Sequence, residues 1–138
     1  MNIKLDQAAR ILAAAKAKAN EIGVCMNIAI VDEGANLTLF SRMDDALLGC
    51  ADIAIKKAKT SRLFNMESGE LGKLSQPGGS LFNIEHSNGG LISFAGGMVL
   101  QNSNGQIIGA IGVSGGSVEQ DHEVALSGAN ALLSNPDQ

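Results

Sequence analysis

The sequence predicts an α+β domain, an antiparallel sheet of five strands flanked by helices. Three observations carry this. Segments with apolar residues at helical spacing stand near both ends and in the middle of the chain. Short runs rich in β-branched residues come in groups, and turn residues join the runs within a group. Helices separate the groups, so adjacent strands pair as hairpins and the helices cover the sheet.

The first helix is predicted over 4–21. Leu5, Ala8, Ala9, Leu12, Ala15, Ala19 and Ile22 recur at helical spacing, with charges on the other face. Gly23 stands where such a helix stops. VCMNIAIV (24–31) is an uncharged apolar run that fits a buried strand, and DEGAN (32–36) supplies turn chemistry. NLTLFSR (36–42) alternates, which completes a hairpin. Asp32 and Arg42 flank it and are candidates for a cross-strand pair.

A second long helix is predicted over 47–64, with Asp44 and Asp45 before it and Lys56, Lys57, Lys59 and Arg62 towards its end. That charge order matches the helix dipole, so the basic run reads as a solvated helix end. Leu47, Ala51, Ala54, Ile55 and Ala58 form its apolar stripe. Residues 65–90 are dense in Gly and Ser. They suggest a short helix around 67–73 and then an ordered loop anchored by Leu81, Phe82 and Ile84. Loops this long in a compact domain are usually functional or disordered.

Three strands follow at 91–95, 98–101 and 106–113, the last two joined through Asn104-Gly105, a strong hairpin signal. The final helix starts at Val118. Ser117 with Gln120 forms a capping box. Val118, His122, Ala125, Leu126, Ala129, Leu132 and Leu133 give its stripe.

Composition narrows the function. The 138 residues form one domain, 1–138, with 45% hydrophobic residues and neither Trp nor Tyr. The formal net charge of −4 is the wrong sign for a nucleic-acid partner. The N-terminal segment lacks a secretory pattern, and no run approaches the ~20 apolar residues of a membrane span. The expectation is a cytoplasmic protein without membrane or nucleic-acid partners. Cys25 and Cys50 sit in apolar stretches and read as buried free thiols. Neither C-x-x-C nor H-x-x-x-H occurs, so no metal site is expected.

The candidate chemistry gathers at two places. One is the corner at 112–119. A helix start carries unsatisfied N–H groups, and Gly115 and Gly116 have no side chains to block access to them or to Ser117. That corner can accept a carboxylate or phosphate, or it is only a turn needing Gly. Glu119 on the first turn, with Glu85 or His86, is a candidate general acid/base. The other place is the 76–90 loop, with Pro77, Phe82 and His86. His122 is either a core or interface histidine or a group facing a pocket near Gly115. Met26, Met43, Met66 and Met98 supply adaptable apolar surface. Ser114 fits a G-x-S-x-G spacing, but that elbow belongs to parallel sheets.

Six segments then carry a resemblance: IAIVDEGANL, RMDDALLG, IAIKKAKTSRLF, ELGKLSQPGG, EHSNGGLISFAGG and GAIGVSGGSVEQD. In this order, over about residues 5–133, they resemble the GlcG-like family. That family includes HbpS-type haem-binding proteins and the C-terminal module of PduO-type corrinoid adenosyltransferases. The resemblance implies a profilin-like fold and a homo-oligomer, often an octamer. It further implies a small ligand, haem or a related tetrapyrrole, and an accessory role in glycolate, glycerol or diol metabolism. Two other readings stand beside this one. The first is an acid/base enzyme acting on a small hydroxy acid or diol-derived metabolite, with Glu119 and His86 catalytic. The second is an oligomeric assembly protein without catalysis.

Overall fold

The computed structural model describes residues 1–134. Its elements run α1 (Leu5–Ile22), β1 (Asn27–Asp32), β2 (Leu37–Arg42), α2 (Cys50–Phe64), α3 (Ser68–Leu74), β3 (Gly97–Gln101), β4 (Ile107–Ser114) and α4 (Val118–Leu133). A 3-10 turn at Ile84–His86 precedes β3. The strands form one antiparallel sheet in the order β2-β1-β4-β3.

Alternation along the two central strands assigns the layers. Ile28 and Ile30 of β1, with Ile111 and Val113 of β4, join the core beneath α1 and α4. The intervening Ala29, Val31 and Ala110 face α2, where they meet Ala54 and Ala58. This second face is built from small residues, so α2 lies close against the sheet. A Cβ at Gly112 would lie 2.0 Å from the Ala54 carbonyl oxygen. Burial on both faces explains why the β1 and β4 runs are apolar throughout.

The sheet has four strands, not the expected five. Residues 91–95 are not a strand, because their polar groups are claimed by other elements. The Ile92 amide donates to Thr60 Oγ1 of α2, the Leu91 amide to the Glu85 carbonyl, and the Phe94 carbonyl accepts from Ser68 Oγ of α3. Gly96 then turns the chain at φ +127° into β3. The second helix also starts later than expected. Leu47 and Leu48 are exposed in a turn, and the helix begins at Cys50.

Both cysteines depart from the buried reading, Cys25 being exposed and Cys50 half-buried. Asp32 and Arg42 do not pair. Asp32 Oδ1 accepts the Gly34 and Asn36 amides of the turn, and Arg42 donates to the Ala46 carbonyl. No helix among the described residues is long and apolar enough to cross a membrane.

Candidate functional site

A cleft of about 430 Å³ opens between α3, residues 93–95 and the first half of α4. It starts from an unusual contact between backbones. Gly69 and Gly72 lie three apart on α3 and so share a face. A Cβ on Gly69 would touch the Ala95 backbone at 3.2 Å, and one on Gly72 would lie 1.8 Å from the Ser93 carbonyl oxygen. With no side chains between them, helix and segment meet directly. Ser68 Oγ fixes the contact, donating to the Phe94 carbonyl at 2.7 Å and accepting the Gly97 amide at 2.8 Å. Fully buried, this hydroxyl has both its roles filled.

The cleft surface combines this flat wall with the half-exposed Phe94 ring, and Glu67, Glu70, Lys73, Gln76 and His122 border it. His122 Nδ1 stands 3.5 Å from Glu67 Oε1. Lys73 Nζ is 3.0 Å from Glu70 Oε1 on the exposed side of α3. Ser93 donates its hydroxyl to Glu85 Oε2, and Ser75 Oγ reaches the same oxygen at 3.1 Å. The Ser93 bond holds the Glu85 carboxyl below its ordinary value, helped by a backbone hydrogen bond. Glu85 thus ties the two ends of the 75–93 loop, the end at Ser93 being part of the cleft wall.

Behind the cleft is a buried ion pair. Lys57 Nζ donates to Asp121 Oδ2 at 2.8 Å and to the Val113 carbonyl at 2.9 Å, and it lies 5.0 Å from the Phe94 ring centroid. Asp121 Oδ1 accepts the Gly116 amide at 2.9 Å. Burial pushes the Lys57 ammonium below its usual value, and Asp121 opposes that shift. This corrects two expectations. Lys57 is not part of a solvated helix end. The buried side of α4 runs through Asp121, Val124, Ala125, Gly128 and Leu132, rotated from the expected stripe, so Val118, Leu126 and Leu133 are exposed. The same rotation carries His122 out of the core to the cleft edge.

The other residues singled out from the sequence are placed differently. The capping box is present, Ser117 accepting from the Gln120 amide. Around it, however, the Gly116 amide is given to Asp121 and the Ser117 amide to Gln120 Oε1. Gly115, at φ +155°, packs against the chain before β1, where a Cβ would lie 2.5 Å from the Cys25 carbonyl oxygen. Glu119 is exposed on the first turn, and Glu123 pairs with Lys18 of α1 at 3.6 Å. His86, Pro77 and Phe82 are exposed on the loop that continues from Gln76. A second cleft of about 390 Å³, bordered by Lys16, Cys25, Arg42 and Asp44, is of mixed charge and contains no histidine. Among the described residues no cluster of three metal-ligating side chains occurs.

A four-stranded sheet between helix layers, with a histidine-edged apolar cleft beside α3, makes this chain an α+β domain. The family model for HbpS-like, haem-degrading proteins matches residues 3–130, and the chain belongs to this HbpS-like family. It is 41% identical over 123 residues to an uncharacterized 15.0 kDa protein of the dhaT-dhaS intergenic region of Citrobacter freundii, covering 89% of this chain and 87% of that one. It is 36% identical over 133 residues to the corrinoid adenosyltransferase PduO of the same organism. That match covers 96% of this chain but only 39% of PduO. The crystal structure of a PduOC:heme complex superposes with a TM-score of 0.90 at 35% identity, over 95% of each chain.

Proposed function

We propose that this chain binds haem, or a related tetrapyrrole, in the cleft between α3 and α4, with His122 as the iron ligand. The observation that carries the reading is the His122–Glu67 pair at the edge of an apolar wall. A carboxylate engaging one ring nitrogen fixes the orientation and tautomer of an imidazole and leaves the other nitrogen for a metal. Here Glu67 Oε1 stands 3.5 Å from Nδ1, close enough to take up that role as the ring settles on a ligand, and Nε2 is left for the metal.

The rest of the cleft suits a flat apolar macrocycle. Gly69, Gly72 and Ala95 present a wall without bulky side chains, and Phe94 offers a ring for stacking. Lys73 supplies an ammonium for a propionate. Once bound, haem would supply iron-centred redox and ligand-exchange chemistry. This chain's residues would hold the ring, orient the imidazole and limit water on one face. A tetrapyrrole overhangs so open a cleft, and Pro77, Phe82 and His86 on the adjoining loop are candidates for its outer contacts. The resemblance extends the reading to an accessory role and to self-association, which would cover the open side of the ligand, and the N-terminal sequence pattern adds a cytoplasmic location to the proposal.

Haemin titration followed in the Soret region tests this. The intact chain should give a saturable Soret shift, and His122→Ala should change the bound spectrum and weaken binding at least tenfold. An identical spectrum and affinity in the variant would remove His122 from the site. No shift with the intact chain would remove haem.

A further inference from the structure

The Lys57 ammonium is the point where both sides of the cleft meet. Through Asp121 it holds the first turn of α4, and the next residue in the chain is His122. Its remaining face lies under the Phe94 ring, part of the opposite wall. Its third partner is the Val113 carbonyl at the end of β4. Gly96 passes so close that a Cβ there would sit 2.7 Å from Nζ. Asp121 is equally committed, with one oxygen on Lys57 and the other on the Gly116 amide. Two fixed carboxylate oxygens define the rotation of α4 about its axis. That rotation decides whether the position after Asp121 faces the core or the cleft.

We propose that the buried Lys57–Asp121 pair is the positioning element of the cleft, setting His122 against Glu67 and Phe94 over the wall at the same time. Neither residue borders the cleft, so both act through others. A fold-stabilising role alone does not require this arrangement, because buried ion pairs are often no more stabilising than apolar residues of the same volume. What the pair adds is direction. A carboxylate with one oxygen on the Lys57 ammonium and the other on the Gly116 amide has one geometry, whereas an apolar contact between α2 and α4 tolerates rotation. The inference rests on the haem reading only for its ligand, since the placement of His122 and Phe94 is measurable without one.

The test compares the intact chain with K57M/D121N, which removes both charges while Asn keeps an acceptor for the Gly116 amide. A second variant, D121E, keeps both charges and displaces the carboxylate by one methylene. Three readouts are taken: urea unfolding, His122 and Phe94 ring proton shifts in the ligand-free chain, and haemin affinity. The expected result is displaced ring signals in both variants and haemin binding weakened about tenfold or more, even where the unfolding midpoint is kept. Unchanged ring signals in a folded variant would overturn the proposal. If K57M/D121N does not fold, D121E decides alone. If the intact chain binds no haemin, the haem reading fails, and the ring signals still decide whether the pair positions the cleft.

Discussion

Replacing Gly72 with Ala perturbs the wall where two backbones touch. The added Cβ would lie 1.8 Å from the Ser93 carbonyl oxygen, and real Cβ contacts stop near 3.0 Å. Helix α3 and the 93–95 segment must therefore part by about 1.2 Å, the difference between those distances. Little can yield locally. Ser68 ties α3 to Phe94 and Gly97, and Glu85 holds the Ser93 hydroxyl. Ala is the better helix former by about 1 kcal/mol. Overpacking of this kind costs about 1–3 kcal/mol, and each buried hydrogen bond lost adds about 1 kcal/mol. The net expectation is a loss of about 1–3 kcal/mol. With a urea m-value of about 1–3 kcal/mol/M, the unfolding midpoint should fall by about 1 M, read by far-UV circular dichroism, and haemin affinity should fall with it. Gly49→Ala is the control, since nothing lies within 4 Å of its Cβ position and its φ is −63°. If Gly72→Ala and Gly49→Ala behave alike in stability and in haemin binding, the cleft wall is not built as described.

Three further outcomes are expected. Asp121→Ala strands a buried ammonium and should cost about 3–5 kcal/mol by denaturant unfolding, whereas Lys73→Ala, which removes an exposed pair, should change stability by less than about 1 kcal/mol. Ser117→Ala removes the α4 cap and should cost about 1 kcal/mol by the same assay. The Glu85 carboxyl is held below its ordinary value chiefly by Ser93. Its contribution is therefore present above the unfolded-state value and lost as the pH falls through the folded-state value. An acid-unfolding profile of Glu85→Gln should lack that component, and a profile unchanged from the parent chain would refute the clamp.

Much of the frame was readable because local signals and burial agree. Gly23 caps α1 in the left-handed conformation, its amide returning to Ala19 and Asn20, and Ser117 with Gln120 starts α4. The β1–β2 hairpin sits where DEGAN predicts it. The fifth strand failed because LISFA has strand composition, while its backbone partners come from side chains distant in sequence, Thr60 and Ser68. The site was harder to read because its key residues look like their opposites. Lys57 belongs to a basic run that suits a helix C-terminus, yet Ala54, Lys57, Ala58 and Ser61 are spaced by three or one and all are buried. Asp121 similarly falls in line with Val124, Ala125 and Gly128. A lysine within the inward face of one helix and an aspartate within that of another is a signal for a buried pair. The open anion corner failed for the same reason, since Asp121 and Gln120 fill it from within. Nothing in SGELGKL (68–74) marks Gly69 and Gly72 as a contact surface without knowing that Ser93 and Ala95 oppose them.

Where the ligand sits can be read directly from paramagnetic broadening of amide signals in the isotope-labelled chain as haemin is added below stoichiometry. Loss of the Gly69, Gly72, Ala95 and His122 signals, with Lys16, Cys25 and Arg42 left sharp, is the predicted outcome. Broadening centred on Cys25 and Arg42, with Gly69 and Gly72 untouched, would contradict a haem site between α3 and α4.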